Sequence, residues 1–333
     1  MIKNYFKVAL RSFKRHKLFT LINIIGLSIG ISAALVIYLI VNYDFTFDKF
    51  HKDGDRIYRV VTNFTFSGEQ GYNGGVTGPL PEAVKNEVTG LEGSAPFFTL
   101  YQLHTSIPNG AKTPVKFKKQ DGVLLADQRY FNLFDYQWLA GSAKTLEAPN
   151  QVVLSSIQAK LYFPSLSYDQ MLGKQIIYDD TLRMTVSGIV KTPEQNTDFK
   201  FTDFISYNTI NSQKSLKDQV QPTEWGSTTS ASQLFIKLLP KTSVARIEKQ
   251  LKAILNKYQP PKPENKGNTQ EFKLQSLNDL HFNGKYGNFD IGNVANKTTS
   301  YGLLVIAAFL LLLGCINFIN LTTARSVERA KEI

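Results

Sequence analysis

Two long apolar runs frame the chain. Leu18–Tyr43 carries no charged residue over 26 positions, and Thr298–Ala324 carries none over 27; both are rich in Leu and Ile. A helix of about 20 residues crosses the roughly 30 Å of bilayer hydrocarbon. Inside lipid, a helix satisfies its own backbone polar groups without help from water. Both runs are therefore read as transmembrane helices. A cleaved signal peptide is the rival for the first. Its apolar run continues to Val41, well beyond the usual core of about 7–15 residues, so a retained anchor is the better reading.

Between the runs the period shortens and the pattern becomes mixed α/β. "RIYRVVTNFTF" (Arg56–Phe66) reads as a strand, and "GPLPEAVKNEV" (Gly78–Val88) as a helix opened by proline. The same order returns later. "QLFIKLLP" (Gln233–Pro240) reads as a strand. The helix that follows sets Val244, Ile247, Leu251, Ile254, Leu255 and Tyr258 on one face, with Thr242 or Ser243 as its cap. "EFKLQSL" (Glu271–Leu277) is a further strand. These units, widely separated in sequence, predict one subdomain built from both ends of the region. An insertion of about Gln120–Trp225 lies between them. There "QVVLSSIQAKLYF" passes from strand to helix near Ser155. "KQIIYDDTLRMTVSGIV" reads as a hairpin turning at Asp179–Asp180, with Leu182, Met184 and Val186 on its buried face.

Charge fixes the topology. Residues 1–17 hold six Lys or Arg and no acid, and the last nine hold Arg325, Arg329 and Lys331 against Glu328 and Glu332. Of the net charge of +11, only +4 lies in residues 44–297. Basic flanks place both ends in the cytoplasm and the middle outside. The excess thus faces anionic lipid and does not call for nucleic acid. On a helical wheel Lys3, Lys7, Arg11, Lys14 and Arg15 oppose Ile2, Tyr5, Phe6, Ala9, Leu10 and Phe13, the pattern of a helix lying at the membrane surface. In the first span Gly26 and Gly30 form a GxxxG, followed by Ala33 and Ala34, small residues that permit close helix packing and suggest a dimer. In the second, Asn317 and Asn320 share a face, suited to bonding across helices. Cys315 is the single cysteine, so the outer region has no disulfide and rests on its own core.

Catalytic chemistry is missing. No GxxxxGK[ST] loop and no GxSxG elbow occurs, and His16, His51, His104 and His281 lack any zinc-like spacing. Asp44 with Asp48, and Asp53 with Asp55, read as solvated acids just past the membrane surface. No catalytic, cofactor or metal residue is assigned.

Four stretches together resemble the MacB/FtsX-like ABC transporter permeases. They are "NYFKVALRSFKRHKLFTLINIIGLSIGI" at the start, "YDFTFDKFHKDGDRIYRVV" (Tyr43–Val61), "VVLSSIQAKLYF" (Val152–Phe163) and "CINFINLTTARSVERAKEI" (Cys315–Ile333). The resemblance implies an α+β membrane protein with two transmembrane helices, 18–43 and 298–324. These flank a two-lobed mixed α/β extracytoplasmic domain over 44–297, a porter-like subdomain with a β-rich subdomain inserted at about 120–225. It also implies the bacterial inner membrane and a permease subunit without ATPase motif or cofactor of its own. ATP is then bound by a separate cytoplasmic ABC ATPase. A second permease copy and a periplasmic adaptor are further partners it allows. Arg325, Glu328, Arg329 and Lys331 fall at the near edge of the loop that couples to the ATPase, and the sequence reads as the N-terminal part of a longer chain. The alternative reading is a membrane-anchored extracytoplasmic sensor or receptor.

Overall fold

The computed structural model describes residues 17–110, 112–260, 267–289 and 294–331, with the side chains of 19, 321, 322 and 324–331 excepted. The surface-helix residues Lys3, Lys7, Arg11, Lys14 and Arg15 lie outside these, as do the side chains of Arg325, Glu328, Arg329 and Lys331. The chain divides into a helical unit, up to Thr46 and from Ala295 onward, and an outer unit, Phe47–Val294.

The helical unit is two long helices, α1 (Lys17–Phe45) and, at the far end of the chain, α7 (Lys297–Lys331). Stretches of 26 and 24 residues, Thr20–Phe45 and Lys297–Asn320, are long and apolar enough to cross a membrane. Leu18 is 73% exposed and Val305 69%, which excludes the buried core helices of a soluble protein. The helices meet along one stripe. A Cβ on Gly26 would lie 3.3 Å from Asn317 Nδ2, one on Gly30 would lie 3.4 Å from the Leu310 carbonyl, and Gly314 abuts Leu27. Ala34, Val41 and Ala307 are buried, and Ala33 half-buried. The small-residue stripe is thus occupied by the chain's own second span, whose backbone it admits closely. The α7 helix runs without a break through Ala324 into the charged stub.

The outer unit is built on one sheet. Its first strands are β1 (Ile57–Phe66), β2 (Glu69–Asn73), β4 (Leu91–Leu100), β5 (Leu103–Asn109), β6 (Lys112–Gln120) and β7 (Val123–Ala126). They are followed by β8 (Trp138–Gly141), β9 (Gln151–Ser155), β10 (Gln175–Tyr178), β11 (Leu182–Val190), β12 (Asp203–Ser206), β14 (Ser232–Leu238) and β15 (Thr269–Ser276). Among the described residues the order is β15-β1-β14-β4-β7-β12-β9-β11-β10-β5-β6, with β2 beside β1 and β8 beside β11. Two short strands, β3 (Val76–Thr77) and β13 (Thr228–Thr229), pair separately, and the short helices α3 (Gln128–Phe134) and α4 (Ser156–Tyr162) fall between them in sequence. Most neighbours are antiparallel; β7–β12 and β9–β11 are parallel.

At one end of the sheet the expected two-ended subdomain is present. The helices α2 (Leu80–Glu87) and α5 (Val244–Tyr258) bury Leu80, Val84, Ile247, Leu251, Ile254 and Leu255 against Val60, Leu234 and Ile236. The Ser243 side chain caps α5 by accepting from Arg246 N–H, a contact worth about 1 kcal/mol. Tyr258 leaves the core and stacks on Trp225 at 4.5 Å instead. The hairpin at Asp179–Asp180 is also present. Both residues have positive φ, which aspartate tolerates and which suits the twist of a tight β-turn.

The two expected lobes are two ends of one continuous sheet, and Phe47–Val294 forms a single compact unit. The far end also begins earlier than Gln120, because β5 and β6 sit at its edge, paired onto β10. "KTPVKFKKQ" is an exposed edge strand blunted by lysines and Pro114, in which Phe117 packs on the core while Val115 stays exposed. In the middle of the sheet an aromatic layer joins the two ends. Phe97, Tyr130, Phe131, Phe134, Phe199 and Phe235 pack with neighbouring ring centroids about 5 Å apart.

Candidate functional site

The segment that enters the outer unit after α1 folds directly into its core. Phe47 is buried and stacks on the His281 ring, centroids 3.6 Å apart and planes within 14°. Asp48 is 2% exposed and sits in the left-handed backbone region, φ 55°. Its N–H donates to the Asn196 carbonyl at 3.0 Å. Its carboxylate accepts from the Thr197 hydroxyl and, at 3.3 Å, from the Asp198 N–H. His51 Nε2 lies 3.5 Å from the same carboxylate. Lys49 Nζ donates to Asn278 Oδ1 at 2.6 Å. The expectation that Asp48 is a solvated acid is therefore corrected. Its partners, some 150 residues away, keep it buried and bonded.

The segment that leaves toward α7 is tied to the same place. After β15 and the short helix α6 (Leu277–Leu280), His281 Nδ1 lies 3.0 Å from Asp198 Oδ1, both groups being buried. Asn288 Nδ2 reaches the same oxygen at 3.4 Å. Further along, Arg59 on β1 is fully buried; its Nε donates to Gln233 Oε1 at 2.8 Å and its Nη1 to the Gly287 carbonyl at 2.7 Å. The Phe289 ring lies 5.0 Å from its guanidinium carbon, a cation–π distance. Burial lowers the Arg59 pKa to about 9, with Tyr101 and Asp198 opposing the shift, so the guanidinium stays charged at neutral pH. Tyr286 hydroxyl donates to Asn63 at 2.7 Å. Gly74 has no side chain because a Cβ there would overlap Arg59 and the Tyr286 carbonyl. The loop of residues 196–199 thus joins the entry and exit segments, and Arg59 holds the exit segment along β1.

Outside this knot Asp53 and Glu92 meet Arg56 and Lys237 at 2.5–2.9 Å, a quartet that anchors the next turn of the entry segment. Lys237 and then Arg56 hydrogen bonding draws the Glu92 pKa down. Beside the knot lies a cavity of about 220 Å³, lined among others by Phe50, His51, Phe134, Tyr136, Lys191 and Thr197. Burial, with the Asp48 carboxylate adding to it, pushes the Tyr136 pKa up to about 12, so its hydroxyl stays neutral. Among the described residues no His, Cys, Asp or Glu cluster is suited to a metal ion.

Sequence reading singled out Gly26, Gly30, Ala33 and Ala34, which the structure brings together with Asn317, Leu310 and Ala307 within the helical unit. It missed the knot, because Asp48, Thr197, Asp198 and His281 are scattered singly along the chain. The available signal was the density of hydrophobic residues around Asp48 in "FTFDKF", unusual for an exposed acid.

Two helices long and apolar enough to cross a membrane, and an α/β outer unit whose entering segment and His281 meet at one buried knot, define a membrane-anchored protein with an extramembranous core domain. The family model for the MacB-like periplasmic core domain matches residues 20–254, and the chain belongs to that family. Among solved structures, a domain assigned to a permease protein from Porphyromonas gingivalis is similar at TM-score 0.56 and 16% identity, covering 69% of this chain and 92% of that one. The periplasmic region of MacB from Actinobacillus actinomycetemcomitans aligns at TM-score 0.41 and 14% identity, over 63% of this chain and 87% of that one. No curated protein matches the sequence.

Proposed function

We propose that this chain is a permease component of an ABC transporter, in which a separate cytoplasmic ATPase drives movement of the outer unit through α1 and α7. The observation that carries this reading is the knot of Asp48, Thr197, Asp198 and His281. It fixes the first residues of the outer unit and His281, in the segment after β15, to the same buried loop. An outer unit whose entering and leaving segments share one buried, hydrogen-bonded loop is suited to move as a single body. Family membership supports the ABC assignment and the partnership with an ATPase. The outer unit faces the periplasm from the inner membrane, and Arg325, Glu328, Arg329 and Lys331 begin the coupling segment. A second copy, if it joins in the membrane, uses the lipid-facing sides of the helices, since the Gly26–Gly30 stripe packs on α7. A periplasmic adaptor would take up the movement on the outer side.

The test is purification of the chain from its native membrane, with nucleotide turnover measured alongside an ATP-dependent change in the outer unit. Spin labels at Lys118 and Lys252, placed after Cys315→Ser, report on each outer unit. A copurifying P-loop ATPase is expected. ATP should change distances between copies, while the Lys118–Lys252 distance within a copy holds. Absence of any ATPase would favour the sensor reading and refute this one.

A further inference from the structure

The cavity beside the knot has a wall chemistry that the transmission of force does not use. Phe50, Phe134 and Phe199 supply three aromatic faces, and the Tyr136 hydroxyl stays neutral. His51 lines it, 9% exposed; its Nε2 faces the Asp48 carboxylate at 3.5 Å, and its Nδ1 makes no hydrogen bond among the described residues. Buried polar groups without partners are uncommon and costly, so an unpartnered Nδ1 on a cavity-lining imidazole is a feature to be explained. At the rim Lys191 Nζ contacts Glu194 Oε1 at 2.8 Å; the lysine side chain is 46% exposed and the glutamate 74%. Asp135 is the other acid on the rim.

We infer that this cavity binds a small carboxylate bearing an apolar side chain, the chemistry of a free apolar amino acid or of the C-terminal residue of a peptide. The volume of about 220 Å³ falls below that of drug-sized pockets and suits a group of this size. The apolar side chain stacks among the phenylalanines, where offset and edge-on ring contacts are favourable. The carboxylate takes Lys191 from Glu194 and meets His51 at Nδ1, the ring nitrogen that Asp48 does not face. A multiply charged anion such as phosphate is disfavoured, since one lysine faces two acids. In the absence of ligand Glu194 neutralises Lys191, so the glutamate competes with the ligand. The site is carried by Lys191 and His51 and does not depend on the transmission reading.

The test is isothermal titration of the full chain in lipid nanodiscs with N-acetyl-L-phenylalanine, L-phenylalanine and L-phenylalaninamide. Saturable binding of one or both carboxylates is expected, with the amide at least about tenfold weaker. Preference for the acetylated compound identifies a peptide end as the source, and preference for the free amino acid identifies the metabolite. Lys191→Met should weaken binding about tenfold and Glu194→Gln should strengthen it about threefold. Both positions are exposed, so near-ultraviolet circular dichroism should show the fold intact. No saturation by about 10 mM, equal binding of the amide, or affinities unmoved in both variants would overturn the inference. ATP does not enter the measurement, so its failure leaves the permease reading untouched, and the converse holds.

Discussion

Replacing Asp48 by alanine removes the acceptor for two buried donors, the Thr197 hydroxyl and the Asp198 N–H. Thr197 is 8% exposed and Asp198 fully buried, so water does not replace the lost partner. Each stranded donor costs about 1–3 kcal/mol. Alanine in the left-handed region at φ 55° adds about 1 kcal/mol that aspartate and asparagine largely avoid. The knot should therefore weaken by about 3–7 kcal/mol in Asp48→Ala, and by about 1–2 kcal/mol in Asp48→Asn, which keeps one acceptor and the backbone preference. Hydrogen–deuterium exchange of the full chain in nanodiscs reads this directly. Local opening should become at least about 100-fold more frequent in Asp48→Ala over residues 47–56. The effect should also reach residues 279–289, because Asp198 holds His281. Faster exchange confined to 47–56, or a change below about threefold, would refute the knot as one cooperative unit.

Two other outcomes follow from buried geometry. Asp203 accepts from Tyr178 at 2.6 Å and Tyr162 at 3.0 Å, yet burial raises its pKa from 3.8 to about 6. The folded state thus binds the proton more tightly than the unfolded one, so this group's stabilisation is full below about pH 4 and is lost as pH rises through about 6. The span is worth about 3 kcal/mol. Asp203→Asn should flatten the fall in Tm between about pH 4 and pH 7 in scanning fluorimetry, and an unchanged profile would remove Asp203 as its source. In the helical unit, Gly30→Ile should drive a branched side chain at the Leu310 carbonyl and part α1 from α7, whereas Gly30→Ala, at a 3.4 Å contact, should be nearly neutral. Thermal melts in detergent followed by circular dichroism should separate the two; equal melts would place the helix contact elsewhere.

What the sequence revealed and what it concealed divide along contact range. The spans, β1, α5 with its Ser243 cap and the Asp179–Asp180 hairpin depend on neighbours within a few residues. Period, capping and turn chemistry therefore made them legible. Asp48 shows the opposite case. An acid just after a span reads as solvated, and only the return of Thr197 and Asp198 from 150 residues away turns it into a buried acceptor. The Gly26–Gly30 stripe lies between these cases: its period announced close helix packing, but nothing local distinguishes a second copy from the chain's own α7. The outer unit's continuity was hidden for a related reason. Strand pairing is non-local: β5 and β6 join the far end only through the pairing of β5 with β10.

That continuity constrains how the outer unit can move. The subdomain built from both chain ends contributes β15, β1, β14 and β4, and the remainder begins at β7, which pairs with β4 from Phe97–Ala126 to Leu100–Val123. β7 in turn pairs with β12 along its whole length. A hinge between the two ends would have to break one of these ladders, and each opened backbone pair strands polar groups in the core formed by Leu124, Leu125, Phe204 and Ile205, all of them buried. Sliding one end over the other is no easier, since a shift of one residue turns every buried side chain of a strand outward. The sheet from β15 to β6 therefore moves as one piece. The knot at Asp48 and the Arg59 clamp on Gly287 tie the first residues of the outer unit and the segment after β15 to that sheet through a handful of polar contacts.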